Sequence, residues 1–521
     1  MRPSAASAPR PELEMLLYGH PLRRVMRRER TLVLLVTAMA TFGFAFGAAG
    51  VAAAEVGAVV HNAGAIDFQT MAIGSPENQF PATHLPTHLA DTFESSTLCV
   101  QGVAYNLGGG YYLHCATPQD LRSAYNFGPA YAAVGGAKNA GAGQTIVIFD
   151  AFGDPTIHHD LAVFDAANGL PPAKLNVICP MGCPVLDMSG TNPLSDDEIG
   201  WTIEESIDVQ EAHALAPGAT IDLVVSWNDS DQNFAIAEEY ALDFHLGNIW
   251  SQSFGSPECT FVPGPLNPWF AFNNKIYAEA AAQGVTIYAA AGDGWAQEGC
   301  PLPSASYPAD NPNNIAVAGT HLNLTFGPSS PRAHYGYETT WNSCEDPTLL
   351  GFMGGAYQCG EGGTGGAASA YFPAPWWQSG LTVTPYDCSG LSTASCTTGA
   401  PTGFQGKWAA DVAIDGDPDG GVWVFDTAAP AAGVDGFYLY GGTSIGTPMW
   451  AAISAILDQL NFGPLGNIAP VYYFLGGTGA FNDITVGSNT YYPGVGYLST
   501  PGWDGASGMG SPNVGELINW I

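Results

Sequence analysis

The sequence contains very few basic residues. Only 13 of its 521 residues are Lys or Arg, and seven of these precede Thr31. Beyond that point, 44 carboxylates accompany only Arg122, Lys138, Lys174, Lys275, Arg332 and Lys407. Such a surface repels phosphate backbones and anionic membranes, so we exclude nucleic acid as a partner. Because carboxyl groups become neutral in acid, the composition also favours an acidic working environment; the alternative is an acidic surface that serves solubility alone.

Charge is absent altogether between Thr31 and Ala54, directly after an Arg-rich flank. Ala52 and Ala54 form an A-x-A pattern typical of a signal peptide cleaved before Glu55. The same segment is long enough to cross a bilayer as an uncleaved anchor. We therefore predict that residues 1–54 are a signal peptide or membrane anchor. The rest of the chain is expected to be secreted or to lie on the extracellular face of the cell membrane.

Cysteine is absent before Glu55, and all ten cysteines follow it, which is typical of an oxidising compartment. Sequence spacing does not fix connectivity, but the cysteines form close neighbours, so we predict sequential pairing. The predicted pairs are Cys99–Cys115, Cys179–Cys183, Cys259–Cys300, Cys344–Cys359 and Cys388–Cys396. Zinc is the alternative for Cys179 and Cys183, but no second cysteine pair or nearby histidine completes such a site.

Regular apolar periodicity is lacking before Thr117, so residues 55–116 are interpreted as a short N-terminal, pro-like segment. After Thr117, helix and buried-strand patterns alternate, which predicts an α/β fold with a parallel sheet flanked by helices on both faces. The predicted strands are 144–150, 220–226, 248–254, 285–291 and 315–318. One predicted helix starts at Thr117, and the others span residues 160–167, 199–216, 231–243, 268–283 and 467–475. Residues 322–400 are predicted to be loop-rich, and residues 117–521 form the main domain.

A glycine-rich turn precedes an apolar helix pattern in YGGTSIGTPMWAAISAILDQ, which starts at Tyr440. The glycines permit a tight turn, and Pro448 suits the first turn of a helix. Ser444 would then lie beside unpaired N–H groups and the positive end of the helix dipole. This environment suits a nucleophile whose attack generates an oxyanion. The alternative is that Thr443 or Ser444 only caps a core helix.

The sequence lacks a histidine in a recognisable base motif. None of His158, His159, His213 and His321 is followed by the Gly-Thr pair that a subtilisin-type base carries. His213 lies in an Ala-rich helix pattern, where a hydrogen-bonded structural role is expected. A serine nucleophile still needs a base, so the carboxylates are the remaining candidates.

Two carboxylates in GWTIEESIDVQEAHALAPGA share one helix face, because Glu204 and Asp208 are four residues apart. Their mutual repulsion would raise one pKa, which suits a base that shares a proton. Glu205 and Glu211 point to other faces and are expected to be solvated. The alternative is an ordinary acidic face, but the helix pattern is otherwise apolar, which favours a buried pair.

A third carboxyl group, Asp293, ends the strand pattern VTIYAAAGDG. Gly292 and Gly294 flank it and allow the backbone to approach a ligand closely. A protonated Asp293 could donate a hydrogen bond to an oxyanion, as only the neutral acid can. The alternative is a simple turn residue.

With these four residues, the chain from about Thr117 to Ile521 resembles the sedolisin family of serine-carboxyl peptidases, which have a subtilisin-like fold. The matching stretches are TPQDLRSAYNF, GAGQTIVIFDAFGDP, GWTIEESIDV, AHALAPGA, SQSFGSPE, AAAGDG, YPADNPNNIAVAGT, ETTWN, GGTGGAASAYFPAPWWQ, GGTSIGTPMWAA, FNDIT and GWDGASGMGSPN. The resemblance implies hydrolysis of protein or peptide substrates through an acyl-enzyme.

The resemblance also implies a role for each candidate catalytic residue. Ser444 would be the nucleophile, Glu204 the general base, and Asp208 the group that orients Glu204. Asp293 would form the oxyanion hole together with the Ser444 backbone N–H. A carboxylate base near its reference pKa of about 4.3 works in mildly acidic conditions, where a histidine is protonated.

The same family binds one structural calcium ion near its C-terminus. The resemblance implies side-chain oxygens from Asp483 and Asp504, with backbone carbonyls from Ile484, Thr500 and Gly502. Family members usually have glycine where Thr500 stands. A carbonyl ligand tolerates that change, provided that the backbone does not need a positive φ.

One departure concerns activation, because residues 55–116 are shorter than the folded propeptide that usually precedes this catalytic domain. The segment either remains on the mature surface or the chain folds without such a propeptide. Two alternative functions stay open: a catalytically silent cell-surface binding protein with a peptidase fold, and a subtilisin-like peptidase that uses Asp150 and a histidine. We expect a monomer that contacts a membrane only through an uncleaved N-terminal segment.

Overall fold

The computed structural model describes residues 85–86, 99, 103–108, 111–187, 194–260, 267–327, 333–345, 362–386, 405–430, 433–491 and 494–520. All of these residues belong to one unit, His61–Ile521. The predicted signal or anchor segment, residues 1–54, lies outside them. Within the described ranges, no helix is both long enough and apolar enough to cross a membrane.

The strands in this part of the chain are numbered in order. They are β1 Leu85–Pro86, β2 Val103–Gly108, β3 Tyr111–His114, β4 Thr145–Ala151, β5 Lys174–Ile178, β6 Thr220–Ser226, β7 Ile249–Gln252, β8 Ser256–Pro257, β9 Thr286–Ala290, β10 Ser306–Tyr307, β11 Asn314–Phe326, β12 Ala333–Thr340, β13 Ala368–Pro373, β14 Gly406–Trp408, β15 Val412–Asp415, β16 Val422–Ala429, β17 Val434–Tyr440, β18 Phe481–Asn482 and β19 Ser511–Pro512.

The α-helices of the same residues are α1 Pro118–Ala124, α2 Gly128–Ala133, α3 Ile157–Asn168, α4 Asp196–Leu215, α5 Asp231–Phe244, α6 Pro268–Ala282, α7 Thr443–Asn461, α8 Ala469–Phe474 and α9 Val514–Leu517. Local sequence explains where several of them begin. Ser195 and Glu198 form a capping box at the start of α4, and the Asn267 side chain caps α6.

The central sheet has the order β12-β11-β9-β7-β4-β6-β5, with β15 paired to β11. All neighbours run parallel except β11 and β12, which are antiparallel. Side chains of β4 alternate between two apolar clusters, so Ile146 and Ile148 contact the cluster of α4 and α7, whereas Val147 and Phe149 contact the cluster of α5 and α6. The predicted α/β fold, a parallel sheet flanked by helices on both faces, is confirmed.

The prediction misses β15, β16 and β17, although these strands are largely buried, and it also misses the half-solvated strand β12. β11 continues to Phe326 and pairs with β12, although this region was expected to be loop-rich. β12 reads AHYGYETT, and its burial varies along its length, so it carries no continuous apolar run. A strand at a sheet edge needs only partial burial, which explains why apolar periodicity misses it.

A separate sheet, which is antiparallel, packs against α4 through β16. It consists of β16 and β17, with β1 added along β17. The Gln210 side chain of α4 exchanges two hydrogen bonds with the Phe425 backbone of β16, of 2.7 and 3.0 Å. Residues 201–215 of α4 are all buried, so the prediction that Glu205 and Glu211 are solvated is wrong: they are 0% and 1% exposed.

Three of the predicted disulfides are present: Cys99–Cys115, Cys179–Cys183 and Cys259–Cys300. Cys344 is also disulfide-bonded. The other cysteines of the two remaining predicted pairs, Cys359, Cys388 and Cys396, lie outside the described residues. The confirmed pairing agrees with folding in an oxidising compartment.

Candidate active site

The predicted carboxylate pair lies in the middle of α4. Glu204 and Asp208 are both 0% exposed. Burial raises the pKa of Asp208 well above its ordinary value, and the charges of Asp150 and Glu204 raise it further. The pair therefore holds protons more tightly than two solvated carboxyls, as the spacing predicts.

Ser444 is the second residue of α7, directly after the Gly441–Gly442 turn. Gly442 has a φ of 125°, which side chains with a Cβ rarely adopt. A Cβ at Gly441 would lie 2.3 Å from the Pro418 backbone nitrogen, so the close approach also requires glycine. Ser444 is 2% exposed, and its N–H is one of the helix-start donors that have no carbonyl partner one turn earlier.

Asp293 holds the start of α7 in place. Its Oδ1 accepts hydrogen bonds from the Thr443 backbone N–H at 2.8 Å and from the Thr443 hydroxyl at 2.7 Å. The Gly292 N–H donates to the same hydroxyl at 3.2 Å. Thr443, the residue before the candidate nucleophile, is thereby fixed to the end of β9. Asp293 is 1% exposed, and when it is ionised its charge raises the pKa of Glu204.

Ser253 connects the carboxylate pair to α7 and is absent from the sequence-based candidates. Its hydroxyl donates to Asp208 Oδ1 at 2.7 Å and lies 3.3 Å from the Ser444 carbonyl oxygen. The only sequence signal is a serine one residue after β7, in the SQSFGSPE stretch. Since Asp208 Oδ1 is oriented by this contact, Ser253 is a positioning residue for the pair.

The electrostatics of Glu204 differ from the sequence-based expectation of a pKa near the reference value. Burial raises the pKa of Glu204 well above that value, and the charges of Asp150 and Asp293 add to the effect. The Ser444 side chain opposes it, although neither Glu204 oxygen makes a hydrogen bond of ordinary geometry to the described residues. The carboxyl is therefore protonated over a wider pH range than a solvated glutamic acid.

Asp150, at the C-terminal part of β4, is the source of much of this repulsion. It is 0% exposed, and neither of its oxygens has a hydrogen-bond partner in the described part of the chain. Burial raises the pKa of Asp150 to about 8. Its charge, once present, raises the pKa values of Glu204, Glu205 and Asp208.

The Asp150→Asn substitution should therefore make the free energy of unfolding less sensitive to pH. The folded-state pKa of Asp150 is about 8, and the unfolded value is about 3.9. The native state keeps the proton that the unfolded state loses, so this contribution to the free energy of unfolding is complete below about pH 4 and is lost as pH rises toward about 8. Asparagine is neutral throughout, so this contribution to the pH slope disappears.

The measurement is the thermal unfolding midpoint between about pH 4 and about pH 8. We expect the wild-type midpoint to fall across this range, by an amount that reflects several kcal/mol, and the Asp150→Asn midpoint to fall less. Asp243→Asn is the matched control, because it removes an exposed charge on α5. Its unfolding midpoint should depend on pH as that of the wild type does. Parallel slopes for Asp150→Asn and wild type would contradict the prediction.

The histidines that the alternative hypothesis requires lie elsewhere. His213 is buried, with Nε2 2.8 Å from the Pro171 carbonyl and 3.2 Å from Asp165 Oδ1. His159 is paired with Asp160 at 2.8 Å, and its side chain is 65% exposed. The structural role expected for His213 agrees with these contacts. Neither histidine pairs with Ser444 or Asp150.

The residues implied as calcium ligands converge on one loop. Buried Asp504 accepts hydrogen bonds from the N–H groups of Thr500, Ala506 and Ser507, at 3.0, 2.9 and 2.8 Å. Exposed Asp483 accepts one from the Gly502 N–H at 3.0 Å. Both carboxylates thus reach the same turn.

This loop fits a calcium ion by its donor chemistry. Burial raises the pKa of Asp504 to about 6, as expected for a carboxyl that lacks a counter-charge. Thr500 does not have a positive φ, so the backbone does not require glycine at this position. Two carboxylates and neighbouring carbonyl oxygens are the hard ligands that calcium prefers.

A second carboxylate group was missed by the sequence analysis. Asp154, Asp160 and Asp426 each place one carboxylate oxygen within 4.8 Å of the others, close enough to hold a metal ion. Asp426 is distant in sequence from the other two, and only the packing of β16 against α3 brings them together. No local sequence motif predicts this arrangement.

Several known proteins are similar to this chain in sequence. The family model described as Peptidase_S8, Subtilase family, matches residues 205–465, half of the chain. The chain is 32% identical to kumamolisin of Bacillus sp. (strain MN-32) over 404 residues, which cover 76% of this chain and 62% of kumamolisin. It is 26% identical to sedolisin of Pseudomonas sp. (strain 101) over 399 residues, 73% of this chain and 58% of sedolisin. The chain therefore spans about three fifths of the length of these curated relatives.

A solved structure extends the comparison to the fold. Pseudomonas sedolisin, a serine-carboxyl proteinase complexed with two molecules of pseudo-iodotyrostatin, matches with a TM-score of 0.60 and 24% identity. The match covers 78% of this chain and 98% of that chain. The family expected from the sequence motifs is confirmed. This chain belongs to the subtilase family and, within it, to the sedolisin family of serine-carboxyl peptidases.

Proposed function

We propose that this chain is an exported, acid-acting endopeptidase that cleaves proteins or peptides through an acyl-enzyme on Ser444. The observation that carries the proposal is the burial of one serine at a helix start beside carboxyls from two other elements. Glu204 and Asp208 come from α4, and Asp293 follows β9. The membership of the sedolisin family supports the same assignment.

The proposed chemistry begins with proton transfer from the Ser444 hydroxyl to the Glu204 carboxylate. The serine oxygen attacks the substrate carbonyl carbon, and the carbonyl oxygen becomes an oxyanion. The Ser444 N–H and a protonated Asp293 donate hydrogen bonds to that oxyanion. When the carbon–nitrogen bond breaks, Glu204 returns its proton to the leaving amine and the acyl-enzyme remains. Water then attacks the ester with Glu204 as base again, and Ser444 is released.

The raised pKa of Glu204 fixes the pH range of this chemistry. The buried carboxyls titrate together, so the first proton lost leaves one carboxylate among neutral neighbours. That single charge is enough for the base, whereas later ionisations add repulsion. The acid limb of kcat/KM should therefore lie at higher pH than for a solvated glutamic acid, and the rate should decline again as the neighbouring carboxyls ionise.

Proteolysis of a denatured protein tests the proposal. Purified protein should generate new peptide termini at about pH 5, identified by mass spectrometry, and a peptide aldehyde that adds to a serine hydroxyl should stop the reaction. Absence of new termini from protein that unfolds cooperatively on heating would instead indicate a silent binding protein with a peptidase fold.

Calcium forms a second part of the proposal. We propose one structural ion held by Asp483 and Asp504, with carbonyls of Ile484, Thr500 and Gly502. The convergence of both carboxylates on one turn supports it. The ion would stabilise this loop and supply no catalytic step.

Asp504→Asn should lose this ion. Because the substitution removes one of two carboxylate ligands, we expect calcium affinity at this site to fall at least about tenfold. The thermal midpoint of the variant should then no longer rise in response to calcium at this site. Equal calcium binding in wild type and Asp504→Asn would contradict the assignment.

Export and oligomeric state complete the proposal. The uncharged segment after the Arg-rich leader supports secretion, or attachment at the outer face of the membrane. The confirmed disulfides agree with that compartment. We propose a monomer that acts on protein or peptide substrates and has no nucleic-acid partner, because the strong negative charge opposes such binding.

A further inference from the structure

A buried group of three aspartates lies beside the helix that carries Glu204. Asp154 precedes α3, Asp160 lies in its first turn, and Asp426 belongs to β16. They are 7%, 0% and 0% exposed. The group is connected to α4, because the Asp154 N–H donates to Glu205 Oε2 at 2.8 Å. It is nevertheless separate from the proposed catalytic residues and from the loop of Asp483 and Asp504.

Backbone donors orient these carboxyls. The Thr156 N–H donates to Asp154 Oδ1 at 2.6 Å, the Thr427 N–H to Asp160 Oδ2 at 2.8 Å and the Ala428 N–H to Asp426 Oδ1 at 2.7 Å. Each side chain is therefore held in one orientation. One oxygen of each carboxylate lies within 4.8 Å of the others. Oxygens that share a calcium ion at about 2.4 Å lie at most about 4.8 Å apart, so this spacing matches a common ion.

The polar capacity of the group is not satisfied by the protein. Asp426 Oδ2 is fully buried and makes no hydrogen bond of ordinary geometry to the described residues, although the Thr202 side chain acts to lower the pKa of this carboxyl. Asp154 Oδ2 has only a 3.5 Å contact from the Ser206 hydroxyl. A buried carboxylate oxygen without a donor is costly unless a cation or a proton occupies the space before it.

The charges of the group are also uncompensated. Within the described ranges, the only ion pair to these aspartates comes from His159, whose Nδ1 lies 2.8 Å from Asp160 Oδ1. Glu205 adds a further buried carboxyl next to Asp154, and burial raises the pKa of that carboxyl. When the three carboxylates are ionised, His159 supplies at most one positive charge, so the group needs further positive charge.

We propose that Asp154, Asp160 and Asp426 form a binding site for a hard divalent cation, with calcium as the ion used. All of the converging donors are oxygens, which suit calcium and not the softer transition metals. The Thr156 and Thr427 hydroxyls donate hydrogen bonds to Asp160, so neutral oxygens also lie beside the group. Bound there, the ion would tie β16 to α3 and to the loop that follows β4.

Counting calcium ions on the full-length protein tests the proposal. Equilibrium dialysis at about pH 7 with millimolar calcium should give two ions per chain, one here and one at the loop of Asp483 and Asp504. Asp426→Asn should retain one ion and Asp504→Asn the other. A wild-type count of one that Asp504→Asn abolishes would overturn the proposal, because protons alone would then neutralise the aspartates.

Asp458→Asn is the matched control for a buried aspartate. Asp458 is 0% exposed and accepts the Leu465 N–H with Oδ1. Among the described residues, its Oδ2 has no hydrogen-bond partner and no group of carboxylates forms around it. This variant should keep two ions. An Asp426→Asn protein that still binds two ions, or an Asp458→Asn protein that loses one, would contradict the site. If Asp426→Asn fails to fold, the wild-type count and the Asp504→Asn count decide alone.

Discussion

Ser444→Ala should lower kcat/KM by at least about 10⁴-fold at every pH at which the wild type is active. The substitution removes the hydroxyl that would form the acyl-enzyme, while the start of α7 stays fixed through Thr443 and Asp293. The effect should appear in kcat, because substrate contacts outside the hydroxyl remain. Steady-state cleavage of a fluorogenic peptide at about pH 5 is the measurement.

Ser454→Ala provides the control for this substitution. Ser454 lies in the same helix and is 1% exposed. Its hydroxyl forms a hydrogen bond with the Tyr288 hydroxyl, away from Ser444. We expect its activity to stay within about tenfold of the wild type. Wild-type activity in Ser444→Ala would refute the serine mechanism, whatever the behaviour of the control.

Glu204→Gln should lower kcat by about 10²–10⁴-fold, the range that a positioned general base contributes. Glutamine matches the shape of the carboxyl but cannot accept the serine proton. The loss should be accompanied by disappearance of the acid limb of the pH profile, because the titrating base is gone. The pH dependence of single-turnover acylation separates this effect from product release.

Glu205→Gln is the matched control, since the two glutamates are adjacent and both fully buried. Burial raises both pKa values, but Glu205 accepts the Asp154 N–H, whereas the Ser444 side chain lowers the pKa of Glu204. Glu205→Gln should retain most of the activity and the acid limb. Equal losses of activity in both variants would indicate a general effect of removing a carboxyl from α4. A Glu204→Gln variant with wild-type activity would exclude Glu204 as the general base.

Much of the fold could be predicted because its central elements bury continuous apolar runs. β6 was expected at residues 220–226 and is found there, and α6 differs from its prediction by one residue. The parts that escaped prediction depend on contacts between distant segments. β12 is stabilised by pairing with β11, and its own sequence has no regular apolar pattern.

The candidate site also has some residues that local sequence predicts and others that only tertiary packing explains. Local chemistry identified Ser444, because its turn needs glycine at two positions, and the spacing of Glu204 and Asp208 identified the pair. Burial by β16 could not be read from α4 alone, which is why Glu205 was wrongly expected to be solvated.

The contributions of Ser253 and Asp150 depend on the three-dimensional neighbourhood. A serine after a strand and an aspartate within one are both common, and only packing against Asp208 and Glu204 gives them significance. The aspartates at 154, 160 and 426 were missed for a related reason, since two of them are separated from the third by more than half of the described chain.

The most direct test of a carboxylate-based serine mechanism is the pH dependence of kcat/KM for one peptide substrate between about pH 3 and about pH 9. A carboxylate base among buried carboxyls predicts a maximum in the acid range and a value at about pH 5 that exceeds the value at about pH 8 by more than about tenfold. A rate that rises through neutrality and is highest at about pH 8, as a histidine base gives, would contradict it.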